Sequence, residues 1–288
     1  MYQNSGILTE AKKAKFQPNI FLLLLFILIL FITAYLLPQI ILGNIFERIQ
    51  FPGEAWEIAF LFLNIITILA GILYCTKIEK RSLLSMGFTK VKIGRNYGIG
   101  FFIGIIFLSI IICGNLLFGA VTIKSGYITP MVILFLFGYV IQGMSEEVAL
   151  RGCLMVSAAN RVLIPIAITI NSLFFAIPHY IFSGGQLLFT MNVFFVGILF
   201  SIYLLQTDNI WGISGLHTGF NIAARCLFNS NSDGISVFYV TSNLPGKELI
   251  GGNDYGITSG LMCTICIVIF LLVLFVKGKI NSTKNNVA

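Results

Sequence analysis

The chain contains two histidines, His179 and His217, and both fall inside long apolar runs. A further apolar run is interrupted by Gln142-Gly-Met-Ser-Glu-Glu-Val-Ala-Leu-Arg151-Gly, which carries Glu146, Glu147 and Arg151. A charge at the centre of a membrane helix costs about 2.5–3.5 kcal/mol on insertion scales, so ionisable groups at that depth mark a function or a buried pair. Helical spacing divides the roles. Glu147 and Arg151 are i,i+4, share a face and can pair. Glu146 lies about 100° around the helix, away from Arg151, and is left available for general acid–base work. Phe175 and His179 are i,i+4, as are His217 and Asn221, so each pair also shares a helix face.

Two carboxylates and two imidazoles in a dry pocket point to hydrolysis. There is no H-E-x-x-H helix and no nucleophile elbow around any Ser or Cys. Two routes remain open. In the first, Glu146 deprotonates a water that His179 positions, while His217 and Asn221 donate hydrogen bonds to the tetrahedral oxyanion. In the second, Glu146, His179 and His217 bind a zinc with an open fourth position. Asn221 favours the metal-free route, because an amide is a good oxyanion donor and a poor zinc ligand.

The elements that must position these residues are membrane helices. Hydrophobic residues make up 57% of the chain and charged residues 10%. Soluble domains run nearer 45–50% and about 25%. With a mean hydropathy of +0.95, this excludes a soluble globular enzyme, a disordered chain and a disulfide scaffold. The expected fold is all-α, a polytopic bundle forming one transmembrane domain over 1–288. Eight spans are expected: Ile20–Leu37, Ala55–Thr76, Tyr97–Val121, Pro130–Ala159, Val162–Phe182, Leu188–Leu205, Trp211–Phe228 and Ile257–Val276. The first reads as an uncleaved signal anchor.

Net charge is +7, but the basic residues sit in short gaps between apolar runs rather than on an aromatic-studded surface, which excludes nucleic acid as a partner. Lys12, Lys13, Lys15, Lys77, Lys80, Arg81, Lys90, Lys92, Arg95, Arg161, Lys277, Lys279 and Lys284 fall on one side of an alternating topology, against Arg48, Lys124 and Lys247 on the other. The positive-inside rule then puts both termini in the cytoplasm. Arg151 and Arg225 lie inside spans.

Depth decides whether the polar groups can meet. If the fourth helix runs on to a turn at Asn160-Arg161, Glu146 stands about 21 Å above that turn and His179 about 27 Å, at 1.5 Å per residue. They then become neighbours on consecutive antiparallel helices, and His217 can join them in one cavity. A helix this long must tilt, protrude or bend, with Gly143 and Gly152 as candidate bends. Gly100-x-x-x-Gly104 reads as a helix-packing notch. The six cysteines, Cys263-x-x-Cys266 included, read as inert packing thiols. The polar stretch Asn229–Tyr255 reads as a solvated loop or a lid.

Glu146-Glu147-x-x-x-Arg151, Phe175-x-x-x-His179 and His217-x-x-x-Asn221, in that order, resemble the motifs of the CPBP family, the CaaX proteases and bacteriocin-processing (Abi) enzymes. The resemblance covers roughly 130–228. It implies an eight-span intramembrane endopeptidase with Glu146 and His179 activating the water, His217 and Asn221 forming the oxyanion site, and Glu147 and Arg151 supporting them. It implies a membrane-associated peptide or protein as substrate, in peptide maturation or bacteriocin self-immunity, and a bacterial cell membrane as the location. The family carries a metalloprotease label, so zinc enters as a possible cofactor beside the metal-free glutamate mechanism. One departure is Leu150, where the family commonly has Phe. A non-catalytic immunity or scaffold protein on the same fold is the alternative. A carrier is disfavoured, because no inverted repeat is visible. Nothing in the sequence indicates the oligomeric state.

Overall fold

The computed structural model describes residues 5–30, 32, 53–229, 235–242, 244–253 and 255–287. In chain order the elements are α1 (Gly6–Ala11), α2 (Ile20–Leu30), α3 (Gly53–Ile78), α4 (Ile93–Leu117), β1 (Thr122–Ser125), α5 (Val132–Ala159), α6 (Ile164–Phe182), α7 (Leu187–Thr207), α8 (Ile210–Ile222), β2 (Phe228–Asn229), β3 (Phe238–Thr241) and α9 (Leu261–Val287). The protein is an all-α, multi-pass membrane bundle. Among the described residues, six helices are long and apolar enough to cross a bilayer: α3, α4, α5, α6, α7 and α9 over Leu261–Ile280.

Two of the eight expected spans differ from this set. The first is described only as α2, and the remainder of Ile20–Leu37 lies outside the described residues apart from position 32. The seventh, expected over Trp211–Phe228, is the short helix α8, continued by a π-helical turn at Ala223–Leu227. Its apolar character serves burial in protein rather than contact with lipid, since Ile210 and nearly every residue from Gly212 to Gly219 are buried.

α4 shows how a lipid-length helix serves two environments. Phe102, Ile106 and Ile110 form an outward stripe, while Leu108, Ile111 and Ile112 are buried. α5 is different: every residue from Gly143 to Ala158 is buried. It is enclosed by α3, α6 and α8. Gly152, one of the two candidate bends, lies within a π-helical stretch over Glu147–Met155, and Gly143 lies in the α-helical part before it.

The gaps that carry the basic residues meet at one end of the bundle. Asp208 accepts hydrogen bonds from Ser5 Oγ and from the backbone N–H groups of Gly6 and Ile7. Arg161 donates to the Pro18 carbonyl, and Trp211 Nε1 donates to the Thr89 carbonyl at 2.8 Å. At the opposite end a three-stranded sheet in the order β1-β3-β2 closes over the helices. β1 pairs antiparallel with β3 (Thr122↔Thr241), and β2 pairs parallel with β3 (Phe228↔Phe238).

α4 and α8 form the most extensive helix pair. A Cβ on Gly104 would fall on the Leu216 carbonyl oxygen, and one on Gly100 on the Gly212 carbonyl oxygen. The notch read from Gly100-x-x-x-Gly104 is therefore the seat of α8. A Cβ on Gly98 would meet nothing within 4 Å. Gly104→Ala is expected to cost about 1–3 kcal/mol through overpacking, whereas Gly98→Ala leaves stability unchanged or slightly raised. Thermal midpoints of the two variants in detergent check this, and equal midpoints would contradict the close approach.

Candidate active site

The site is built where α5, α6 and α8 meet. The switch from α- to π-helical register falls between the two glutamates, with Glu146 ending the first stretch and Glu147 opening the second. Their carboxylates take different partners. Glu147 Oε1 accepts from Arg151 Nη1 at 3.1 Å and stands 2.8 Å from His217 Nδ1. Glu146 Oε1 accepts from Gln142 Nε2 at 2.7 Å, and its Oε2 lies 3.6 Å from His217 Nε2. The imidazole of His217 thus stands between the two carboxylates.

Glu147 and Arg151 have no solvent exposure. Arg151 is enclosed by rings, its guanidinium carbon 4.6 Å from the Phe175 centroid and 5.3 Å from that of Phe200. A cation over an aromatic face gains attraction that water would otherwise supply. The pairing read from i,i+4 spacing is present, and His217 extends it across to α8. With Glu147 ionised, Nδ1 of His217 must be its donor, which turns Nε2 towards Glu146.

α6 carries Pro178 in its interior, which removes one backbone donor from the helix. One residue on, His179 Nδ1 stands 2.8 Å from the Phe175 carbonyl oxygen. A carbonyl only accepts, so Nδ1 is the protonated nitrogen and Nε2 is left as the acceptor. Phe175 lies between the two imidazoles, its ring centroid 5.1 Å from that of His179 and 6.1 Å from that of His217.

A cavity of about 230 Å³ is lined by His179, His217 and Asn221, with Phe175, Phe200 and Phe220 among its walls. Asn221 is held by Gln142, its Nδ2 donating to Gln142 Oε1 at 2.9 Å. The two imidazoles share this cavity as expected, with Asn221 beside them. Glu146 is not among the lining residues and is reached through His217 and Gln142. The reason is its direction: one helix position separates it from Glu147, and its carboxylate is drawn back to Gln142, one turn earlier on α5. A second cavity, about 420 Å³ and lined by Trp56, Glu57, Phe182 and Tyr255, shares His179 and Phe189 with the first. Tyr255, at the end of the stretch read as a loop or lid, stacks on Phe189, which contacts His179.

Among the described residues no three His, Cys, Asp or Glu side chains converge as a metal group, Glu146, His179 and His217 included. His217 Nδ1 faces Glu147 and His179 Nδ1 faces a backbone carbonyl, so Nε2 of each ring is the nitrogen that a metal could take.

Sequence reasoning missed Gln142, although its signal was present: a polar side chain four residues before Glu146 in an otherwise apolar helix. It also left Arg225 unassigned. Arg225 Nη2 pairs with Glu57 Oε2 at 2.8 Å, and Tyr139 donates to Glu57 Oε1 at 3.1 Å. No local pattern announces a pair so far apart in the chain.

Residues 128–223 match the family model described as type II CAAX prenyl endopeptidase, Rce1-like. This segment is similar to that family. The matched stretch contains Glu146, Glu147, Arg151, His179, His217 and Asn221, and so spans the helices that build the site. No curated protein and no solved structure matched the chain.

Removing Arg151 would leave Glu147 charged and buried with half of its support. Arg151→Ala is therefore expected to cost about 3–5 kcal/mol, seen as a lower yield of folded protein and a lower melting temperature. A wild-type melting temperature would contradict the pairing. Gln142→Leu releases both Glu146 and Asn221 while leaving the fold in place, and is expected to lower kcat by on the order of 10²-fold with little change in KM. An unchanged kcat would show that the two contacts position nothing.

Proposed function

We propose that the protein is an intramembrane endopeptidase that cleaves a membrane-associated peptide or protein with a water activated by Glu146 and His179. The observation that carries this reading is the convergence of His179, His217 and Asn221 on one cavity, with Glu146 3.6 Å behind His217. The family match to type II CAAX prenyl endopeptidases supports the same reaction class.

In this reading the scissile peptide bond lies in the cavity. Nε2 of His179, left as an acceptor by the Phe175 contact, orients the water. Glu146 takes the proton of that water and later delivers it to the leaving amine. Glu146 comes into reach through a small swing of its side chain, since apo geometry often tightens only once substrate is bound. The developing oxyanion accepts hydrogen bonds from Asn221 Nδ2 and from His217 Nε2 once that nitrogen carries a proton. Glu147 and Arg151 touch no reacting atom. They hold the ring of His217, and Gln142 holds Glu146 and Asn221 in mutual register. The aromatic walls exclude bulk water, which strengthens each of these interactions.

The substrate would be a peptide at or in the bilayer of a bacterial cell membrane, in peptide maturation or in self-immunity against a bacteriocin. N-terminal profiling of membranes expressing wild type, Glu146→Gln or His179→Ala tests the reaction whatever the identity of the substrate. The expected result is a set of new peptide termini in wild type, absent from both variants at equal protein level. Identical termini in all three membranes, or full processing by either variant, would defeat the mechanism.

A further inference from the structure

Away from the candidate site, two thiols are buried against each other. Cys75 Sγ and Cys153 Sγ are 3.1 Å apart, and neither residue has any solvent exposure. Both lie on π-helical stretches, Cys75 on Tyr74–Ile78 at the end of α3 and Cys153 on Glu147–Met155 of α5. Such stretches inside α-helices are frequent at functional positions.

The surroundings of Cys75 are not those of a packing thiol. Arg81 Nη2 lies 2.8 Å from Cys75 Sγ and also donates to the Gly152 carbonyl at 2.7 Å. Arg81 Nε donates to Glu79 Oε2 at 2.6 Å, and Arg161 Nη2 lies 3.6 Å from Glu79 Oε1. Glu79 and Arg81 are buried. The cluster therefore sets two guanidinium groups against one carboxylate. Arg81 thus sets a guanidinium directly against Cys75 Sγ, where it would stabilise negative charge arising on that sulfur as its proton leaves in an attack. The thiolate is the nucleophilic form of cysteine.

We propose that Cys75 and Cys153 are a redox site that closes reversibly to a disulfide between α3 and α5, with a small hydroperoxide as oxidant. The Cys75 sulfur gives up its thiol proton as it attacks one oxygen of hydrogen peroxide. The S–O bond forms, the O–O bond breaks, and the hydroxide that leaves takes up that Cys75 proton to become water. The Cys153 sulfur then attacks Cys75 Sγ. The S–S bond forms, the S–O bond breaks, and the second hydroxide leaves with the Cys153 thiol proton as water. Two thiols have lost two electrons and the peroxide has become two waters. A dithiol reverses the change. Burial restricts the oxidant to a small molecule, because a protein disulfide cannot reach either sulfur. Bonding would draw the sulfurs together by about 1 Å, to the usual S–S length of about 2.05 Å. The link would join α3 to the helix of Glu146 and Glu147, two residues beyond Arg151.

The inference is independent of the peptidase reading, and its test uses no substrate. Full-length protein in nanodiscs is treated with hydrogen peroxide, denatured, alkylated and digested for mass spectrometry. The expected result is loss of alkylation at Cys75 and Cys153 together, with a linked peptide pair lighter by two hydrogens, and recovery of both thiols with dithiothreitol. In Cys153→Ser, Cys75 is expected to be captured by dimedone as the sulfenic acid. The wild-type measurement needs no variant to fold. Full alkylation of Cys75 and Cys153 after peroxide, or a cross-link joining other cysteines, would overturn the proposal.

Discussion

One oxygen atom, Glu147 Oε1, faces both the guanidinium of Arg151 and the imidazole of His217. Much of the rest is arranged around that contact. A carboxylate with no solvent exposure is tolerated only when it is paired and hydrogen-bonded, because the desolvation of each buried ion costs several kcal/mol. Arg151 supplies the charge from the same helix, and His217 supplies a second hydrogen-bonding group from another. The pair therefore also orients α8 against α5. A rotation of either helix would pull the imidazole away from Glu147 and leave a buried charge half supported. Stability and the aim of His217 Nε2 towards Glu146 rest on the same contact.

That contact demands a dry, closed environment, and the packing supplies it in two ways. α5 is buried from Gly143 to Ala158, so its charged turn meets protein rather than lipid. α8 reaches the interior because Gly100 and Gly104 of α4 let its backbone approach closely. Without a Cβ at those positions, α8 seats deeply enough for His217 and Asn221 to stand beside α5. The aromatic rings of Phe175 and Phe200 then cover Arg151, and Phe175 separates the two imidazoles. Close packing and electrostatics are two aspects of one arrangement here, since the helix seated by the glycine notch is the one carrying the second partner of Glu147.

The parts of the site that could be read locally were those carried by one helix at a time. The i,i+4 relation between Glu147 and Arg151 is set by helix pitch alone, and the structure contains that pair. The Gly100-x-x-x-Gly104 notch is likewise a property of one helix face. Gln142 was equally local, four residues from Glu146, yet polar side chains near a charged turn are common enough that its link to Asn221 gave no signal. The π-helical stretch was not legible, because a register change within a helix depends on the packing around it and has no residue signature of its own. α8 and its π-helical continuation reach the length of a span while α8 turns mostly to protein, because hydropathy measures distaste for water and does not tell a lipid surface from a protein interior.

By itself the sequence determined that the protein is a helical membrane bundle, where its charged turn lies, and which side chains share a helix face. Hydropathy, pitch and residue chemistry are local properties, so a linear string carries them completely. Only the tertiary structure decided that His217 bridges the two glutamates, that Glu146 stands outside the lining of the cavity, that Arg225 finds Glu57, and that Cys75 meets Cys153. Those outcomes depend on how far apart neighbouring helices stand and how each is turned about its own axis. Contacts between residues distant in the chain set both quantities, and no single helix encodes them.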